Sequence, residues 1–161
     1  MYRIGQSTDI HQLVKGRKLI LGGVTIESEL GLLGHSDADV LLHAISEAIL
    51  GALALNDLGC LFPDNDMRYK DISSKIILEK VYDLMNGKGY EISNLDSLVI
   101  IEAPKLRPYI DKMKENIARI LHTDISNVNV KATCSEKIGF VGKKEGAVAQ
   151  AVVLLKKKEG F

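Results

Sequence analysis

Asp9 and His11 stand two residues apart near the start of the chain, and His43 closes the run His35-Ser36-Asp37-Ala38-Asp39-Val40-Leu41-Leu42-His43. On an extended strand, positions separated by one residue point to the same side. Two imidazoles and one carboxylate are a ligand set that zinc accepts, with a fourth position left for a substrate oxygen. An isolated Asp-x-His is more often a surface acid beside a solvated ring, and a lone helical histidine is more often structural. His43 changes the balance, because it lies four residues after Asp39 on one helix face and is flanked by apolar residues. If the three side chains meet, the protein is a metal-dependent catalyst acting on an oxygen-rich compound.

Other segments carry weaker chemistry of a compatible kind. His35 precedes a helix start at Ser36, where free N–H groups and the helix dipole attract anions; a phosphate contact and a plain polar loop are both consistent with it. From Lys131 to Gly146 the chain carries three glycines and four lysines together with Thr133, Cys134, Ser135 and Glu136. Such a loop suits a diphosphate, with Glu136 available to a magnesium ion, or else is simply exposed and basic. It has neither the order of a P-loop nor that of a dinucleotide-binding turn. Asp57, Asp64 and Asp66 form an acidic stretch able to bind polyol hydroxyls, although acidic loops are mostly solvated. No Ser-His-Asp order or Gly-x-Ser-x-Gly elbow supports covalent catalysis.

The elements that must position these residues fit one domain over residues 1–161, long enough to build its own core. The composition is 46% hydrophobic and the formal net charge is zero, which removes any bulk electrostatic case for nucleic acid or an anionic membrane. Two cysteines, Cys60 and Cys134, are too few for a disulfide scaffold and imply a reducing cytoplasm. No secretory signal pattern is visible, and no apolar stretch reaches the roughly 20 residues of a membrane span.

Residues 2–10 read as a first strand, and Lys18 to Ile26 as a second element turned at Gly22-Gly23. Ser36, with Asp39 three residues on, resembles a capping box that opens a helix whose apolar set runs from Val40 to Leu53. A second helix spans about Ser73 to Met85, a buried strand Leu95 to Glu102, and a third helix follows Pro104 and Pro108. Val128, Val130 and Ala132 alternate as a half-buried strand, and Ala147 to Leu155 is apolar enough to be central in a sheet. The expectation is an α+β fold of two layers: a mixed sheet of four to five strands with helices on one face.

Taken in order, these segments resemble the 2-C-methyl-D-erythritol 2,4-cyclodiphosphate synthases of the non-mevalonate isoprenoid pathway. The likeness is carried by Arg3-Ile4-Gly5 leading to Asp9-Ile10-His11, by Leu21-Gly22-Gly23-Val24, and by Gly34-His35-Ser36-Asp37-Ala38-Asp39-Val40 with His43. It continues through Leu50-Gly51-Ala52, Asp57-Leu58-Gly59, Leu61-Phe62-Pro63-Asp64 and Ala103-Pro104-Lys105 to Val130-Lys131-Ala132-Thr133 and Glu136-Lys137-Ile138-Gly139-Phe140.

The resemblance implies a cytoplasmic lyase. Its substrate would be 4-diphosphocytidyl-2-C-methyl-D-erythritol 2-phosphate, cyclised with release of CMP. It implies zinc on Asp9, His11 and His43, and magnesium or manganese on Glu136. His35 would act on a phosphate with Ser36, and Asp57, Gly59, Phe62, Asp64 and Asp66 would form the polyol pocket. Ala103, Pro104, Lys105, Leu106 and Thr133 would form the cytidine side, with further substrate contacts at Ser135, Phe140 and Lys143. It also implies a homotrimer with each site shared between neighbouring subunits, and no nucleic-acid or membrane partner. Two rivals stay open on the residues: a zinc phosphohydrolase that activates water, and a nucleotide-binding protein without turnover.

This chain departs from the family pattern at three places. Thr133-Cys134-Ser135 replaces a run of threonines, so the transition-state contact falls to Cys134, whose thiol is a weaker donor than a hydroxyl. Glu47 stands where Asp is common. Ser7-Thr8 and Lys143 replace a Gly-Phe pair and an arginine, which removes the basis for expecting isoprenoid diphosphates in a central cavity.

Overall fold

The computed structural model describes residues 1–161. Strand β1 (Tyr2–Lys15) runs further than the expected 2–10, because its alternation of covered and exposed positions continues to Leu13 and its last residues pair with β4 (Leu30–Leu32). Between them lies a two-stranded hairpin, β2 (Leu19–Leu21) with β3 (Val24–Ile26), turned at Gly22-Gly23 as expected. Helix α1 (Val40–Ala52) follows, then a short α2 (Leu58–Leu61) and α3 (Ser74–Gly87). Strand β5 (Tyr90–Ile100) starts at Tyr90 rather than Leu95 and accommodates the extra length with a bulge between Ile92 and Asn94. Helix α4 (Arg107–Ile120) carries Pro108 in its first turn, where a missing N–H costs nothing. Strand β6 (Val128–Thr133), the short α5 (Gly139–Gly142) and β7 (Gly146–Lys157) complete the chain.

The main sheet has the order β4-β1-β7-β5-β6. The apolar run from Ala147 lies at its centre, antiparallel to both β1 and β5. Only β5 and β6 are parallel, and α4 supplies the crossover that a parallel pair requires. Odd-numbered residues of β1 and β7 face the helices, and α1 lies across both strands. A side chain at Gly5 would collide with the Ala48 carbonyl oxygen, so the glycine lets α1 rest directly on β1. One cluster of 38 buried apolar residues joins sheet and helices, so both layers share a core. The architecture is a mixed α+β fold with a five-stranded sheet.

The opposite sheet face is open. Ile4, Ile10 and Val152 are large apolar residues exposed there. The register aligns Ile10 with Val148 and Ile100, and Gln6 with Val152 and Asp96, in rows across the central strands.

One detail corrects the expected start of α1. Asp39, not Ser36, is the N-cap: its backbone is extended and its Oδ1 accepts from Leu42 N at 3.0 Å. The same carboxylate accepts from Gly22 N at 3.0 Å and Gly23 N at 2.7 Å, so it fastens the helix start to the β2–β3 turn. Ser36 instead closes a local turn by accepting from Ala38 N. The physical reason is that three N–H donors converge on Asp39, and a carboxylate satisfies them better than one hydroxyl.

Asp39 is fully buried, and burial pushes its carboxyl up to about 6 against the lowering effect of the Leu42 and Gly23 N–H groups. Its folded value lies above its ordinary 3.8, so its contribution to stability is fully present below that value and is lost as pH rises through about 6. In urea unfolding measured from about pH 4 to 7, the unaltered chain should lose stability relative to Asp39→Asn as pH rises. Parallel curves would show that the carboxyl titrates alike in the folded and unfolded chains.

Candidate metal centre and substrate clefts

Asp9 and His11 lie on the helix-facing side of β1, as their spacing predicts, and His43 comes down on them from the first turn of α1. The ring of His11 packs against Gly34, where an added Cβ would stand 3.1 Å from its Nδ1 and Cε1. His11 Nδ1 lies 2.7 Å from the Leu33 carbonyl oxygen. A carbonyl can only accept, so Nδ1 carries the proton and Nε2 presents its lone pair 3.0 Å from Asp9 Oδ2. His43 Nδ1 reaches the same oxygen at 3.3 Å, while its Nε2 faces the hydroxyls of Ser74 at 2.8 Å and Ser36 at 3.1 Å.

The ligand atoms of Asp9, His11 and His43 all lie within 4.8 Å of one another. A carboxylate oxygen and two imidazole nitrogens, whose far sides are occupied by other partners, leave an electron-rich point that suits a metal cation. Burial alone would raise the Asp9 carboxyl, but His11 and His43, which donate to it and carry charge when both ring nitrogens are protonated, hold it well below the usual carboxylate range. Burial works to depress His11, and the hydrogen bond and charge of Asp9 overcome this and raise it.

A cleft of about 330 Å³ opens over this cluster and brings in His35, Ser36, Gly59, Phe62 and Asp64, all expected in the site. His35 Nε2 lies 3.1 Å from the Asp66 carbonyl oxygen, which fixes the ring over the loop that carries Phe62. Two expected acids are occupied elsewhere. Asp57 caps α2 by accepting from Cys60 N, and the Asp66 carboxylate is taken by Arg68, whose backbone N–H and guanidinium both donate to it.

A second cleft of about 600 Å³ lies between the start of α4 and β6, bounded by Pro104, Lys105, Leu106, Thr133 and Cys134. Ala103 is exposed at its rim, joined to Pro104 by a cis peptide bond. Glu102 organises the adjoining turn, accepting from Ser135 N at 3.1 Å, Ser135 Oγ at 3.2 Å and Lys137 N at 3.0 Å. Between these anchors Glu136 takes a left-handed φ of 54°, and its Oε1 accepts from Cys134 Sγ at 3.5 Å. Phe140 stands apart, in a shallow groove with Ile10, Gln12 and Gly146, and exposed Lys143 bounds neither cleft.

The two clefts open at one end of the sheet. His11 pairs with Ala147 on β7, while the neighbouring Val148 pairs with Ile100 on β5, which pairs with Thr133 on β6. With β7 and β5 between β1 and β6, the two centres are three strand spacings apart, about 14 Å.

The side chains not foreseen as parts of the site are those with distant partners. Glu47 lines the first cleft and accepts from Ser7 Oγ at 2.8 Å and Leu58 N at 3.3 Å. Tyr69 lines it too, edge-on to Phe62. Ser74, Asp37 and Glu102 support ligands or loops from 31 to 37 residues away. No local spacing signals such a contact.

The YgbB family profile matches residues 2–156. The chain belongs to that family. Within the YgbB family it is 59% identical over 157 residues to the 2-C-methyl-D-erythritol 2,4-cyclodiphosphate synthase of Finegoldia magna, covering 98% of this chain and 99% of that one. Among solved structures, IspF of Plasmodium falciparum, determined as a CDP complex, superposes with a TM-score of 0.86 at 37% identity, over 98% of this chain and 97% of that one. The bifunctional IspDF of Campylobacter jejuni superposes with a TM-score of 0.93 at 42% identity. That match takes in 98% of this chain but only 42% of the longer one.

Removing one ligand should empty the cluster, because a carboxylate and a single imidazole hold a divalent ion far less tightly than three ligands. His43→Ala is therefore expected to retain essentially no metal after dialysis, read by elemental analysis against the unaltered chain. Full metal content in that variant would exclude the three-ligand centre.

Proposed function

We propose that the chain acts as a cyclising lyase, converting 4-diphosphocytidyl-2-C-methyl-D-erythritol 2-phosphate to 2-C-methyl-D-erythritol 2,4-cyclodiphosphate with release of CMP. The observation that carries this reading is the convergence of Asp9, His11 and His43 under one cleft in a chain of the YgbB family. An oxygen of the 2-phosphate attacks the β-phosphorus and a new P–O–P bond forms. The bond from that phosphorus to the bridging oxygen breaks, and CMP leaves with the electron pair.

The nucleophile is already an anion, so no activated Ser or Cys is required; relief of repulsion and in-line alignment are. Asp9, His11 and His43 would hold zinc and Glu136 would hold magnesium or manganese, and these ions would supply the cationic charge that offsets the repulsion. His35 and Ser36 orient the attacking phosphate beside that centre. Gly59, Phe62 and Asp64 contact the polyol, with Asp57 and Asp66 shaping the loop around it. Ala103 to Leu106, Thr133 and Ser135 receive the cytidine and its diphosphate, a role supported by the Plasmodium falciparum relative having been solved with CDP.

One chain keeps its two clefts about 14 Å apart across the sheet. A homotrimer in which the metal cleft of one copy meets the nucleotide cleft of the next accounts for that separation. It also accounts for the open sheet face with Ile4, Ile10 and Val152, which association would cover. Residues 1–161 then act as one catalytic domain. The exposed free thiols Cys60 and Cys134 favour a reducing, cytoplasmic setting.

Purified protein whose mass in solution is established by light scattering should convert the cytidine diphosphate substrate to cyclic product and CMP in equal amounts, as a trimer. An uncyclised hydrolysis product would instead identify a phosphohydrolase. Binding without CMP release would identify a nucleotide-binding protein, and a monomeric active species would exclude the shared site.

Cys134 offers a weak donor that is already directed at Glu136. Replacing it with Thr supplies a hydroxyl of similar reach, so Cys134→Thr should keep or raise turnover in the same assay. A fall of tenfold or more, about 1.4 kcal/mol in transition-state stabilisation, would assign the thiol a separate role.

A further inference from the structure

We propose that Asp37 and Ser74 are positioning residues for His43: a carboxylate–hydroxyl–imidazole chain that places the ring proton on Nε2 and turns the Nδ1 lone pair toward Asp9. This inference rests on the metal reading of Asp9, His11 and His43.

Ser74 is fully buried at the first position of α3. Its hydroxyl has one proton to give, and two partners compete for it. Its Oγ donates to Asp37 Oδ1 and lies 2.8 Å from His43 Nε2. The Asp37 carboxylate is held in place, since its Oδ2 accepts from Ser74 N at 3.1 Å and its Oδ1 from Asp39 N at 3.2 Å. With the hydroxyl proton committed to a carboxylate, the oxygen facing His43 can only accept. The imidazole must then donate from Nε2.

Ser36 Oγ also faces this nitrogen, but from 3.1 Å, and its proton is not committed to any carboxylate, so the shorter Ser74 contact is the one whose direction is fixed. The opposite order is chemically possible: Ser74 donating to Nε2 would move the ring proton to Nδ1, between the ring and Asp9, where it would compete with a metal. Asp37 prevents this by charge, although it touches neither ring nor metal. His11 has its counterpart in the Leu33 carbonyl, so both imidazoles are fixed from behind.

The chain reaches beyond the ring. Asp37 N donates to the Ile72 carbonyl at 3.0 Å, and Asp71 N donates to the His35 carbonyl at 2.8 Å. The segment that carries His35 and Ser36 is thereby laced to the start of α3, and Ser74 passes that position on to a ligand.

The test uses the full chain and zinc alone, with affinity read by competition against a chromophoric chelator. Ser74→Ala and Asp37→Ala are each expected to weaken zinc by roughly 10- to 100-fold, the range seen for groups that orient metal ligands. A second readout separates positioning from general loosening. In zinc-free protein, at a pH that leaves the imidazoles neutral, ¹⁵N spectra should find His43 protonated on Nε2 in the unaltered chain and on Nδ1 in Asp37→Ala. Circular dichroism checks the fold, and if Asp37→Ala does not fold, the affinity and spectrum of Ser74→Ala decide. Unchanged zinc affinity with His43 still protonated on Nε2 overturns the relay. An unaltered chain that binds no zinc overturns the metal reading itself.

Discussion

The direct seating of helix α1 on strand β1 is the contact on which the rest depends. Gly5 leaves room for the Ala48 carbonyl, Arg3 Nε donates to the Ala52 carbonyl at the far end, and Asp39 ties the near end to the β2–β3 turn. Helix and strand are thus fixed at both ends with almost nothing between them. Ser7 and Glu47 add a polar stitch along the seam. His43 has little freedom in such a frame, and Asp9 and His11 face it from a strand paired along its length with β7. The relative placing of Asp9, His11 and His43 is therefore set by packing alone.

Electrostatics then divides the work between the two ends of the sheet. At β1 the negative charge of Asp9 is shared by two imidazoles that both raise its acidity. At β6 the Asp96 carboxylate binds Lys131 at 2.6 Å and Asn129 at 3.0 Å, while Glu102 spends its oxygens on the backbone N–H groups of Ser135 and Lys137. Glu136, held between those N–H groups, has only the Cys134 thiol as a partner. The turn beside the second cleft therefore keeps one carboxylate, Glu136, lightly engaged while Glu102 is consumed in building the turn.

Much of this was legible in the sequence where one local period governs the outcome. Asp9 and His11 share a face because strand side chains alternate, and the run from Ala147 lies mid-sheet because it is apolar on both faces. The β2–β3 turn followed from Gly22-Gly23. Less legible were the points at which a distant partner decides. A hydroxyl at Ser36 and a carboxylate at Asp39 are both good caps, and only the convergence of the Gly22 and Gly23 N–H groups selects Asp39. Asp57 and Asp66 are expected in a polyol pocket, and in the folded chain each also accepts from a backbone N–H two or three residues away, the local bonding that acidic side chains favour in loops. Ser74 and Glu102 were invisible because neither their type nor their spacing records which residue lies across the fold.

The loop over the first cleft follows from the same frame. Its exit is laced to His35 and Asp37 by backbone hydrogen bonds, and its entry is held by Asp57 capping α2 and by Glu47 accepting from Leu58 N. Between those ends Phe62 and Tyr69 meet edge to face at 5.2 Å, with Lys80 of α3 about equally close to both rings, at 5.5 and 5.4 Å. A cation lying over two aromatic faces adds cohesion of about 0.5–1 kcal/mol at an exposed site, enough to favour one arrangement without locking it. Residues 62–69 are thus anchored at their ends and again at Asp66, whose carbonyl oxygen faces His35 Nε2 at 3.1 Å. His35 is bonded to this loop both through its ring and through its own carbonyl, which accepts from Asp71 N, so loop and cleft wall hold their positions together.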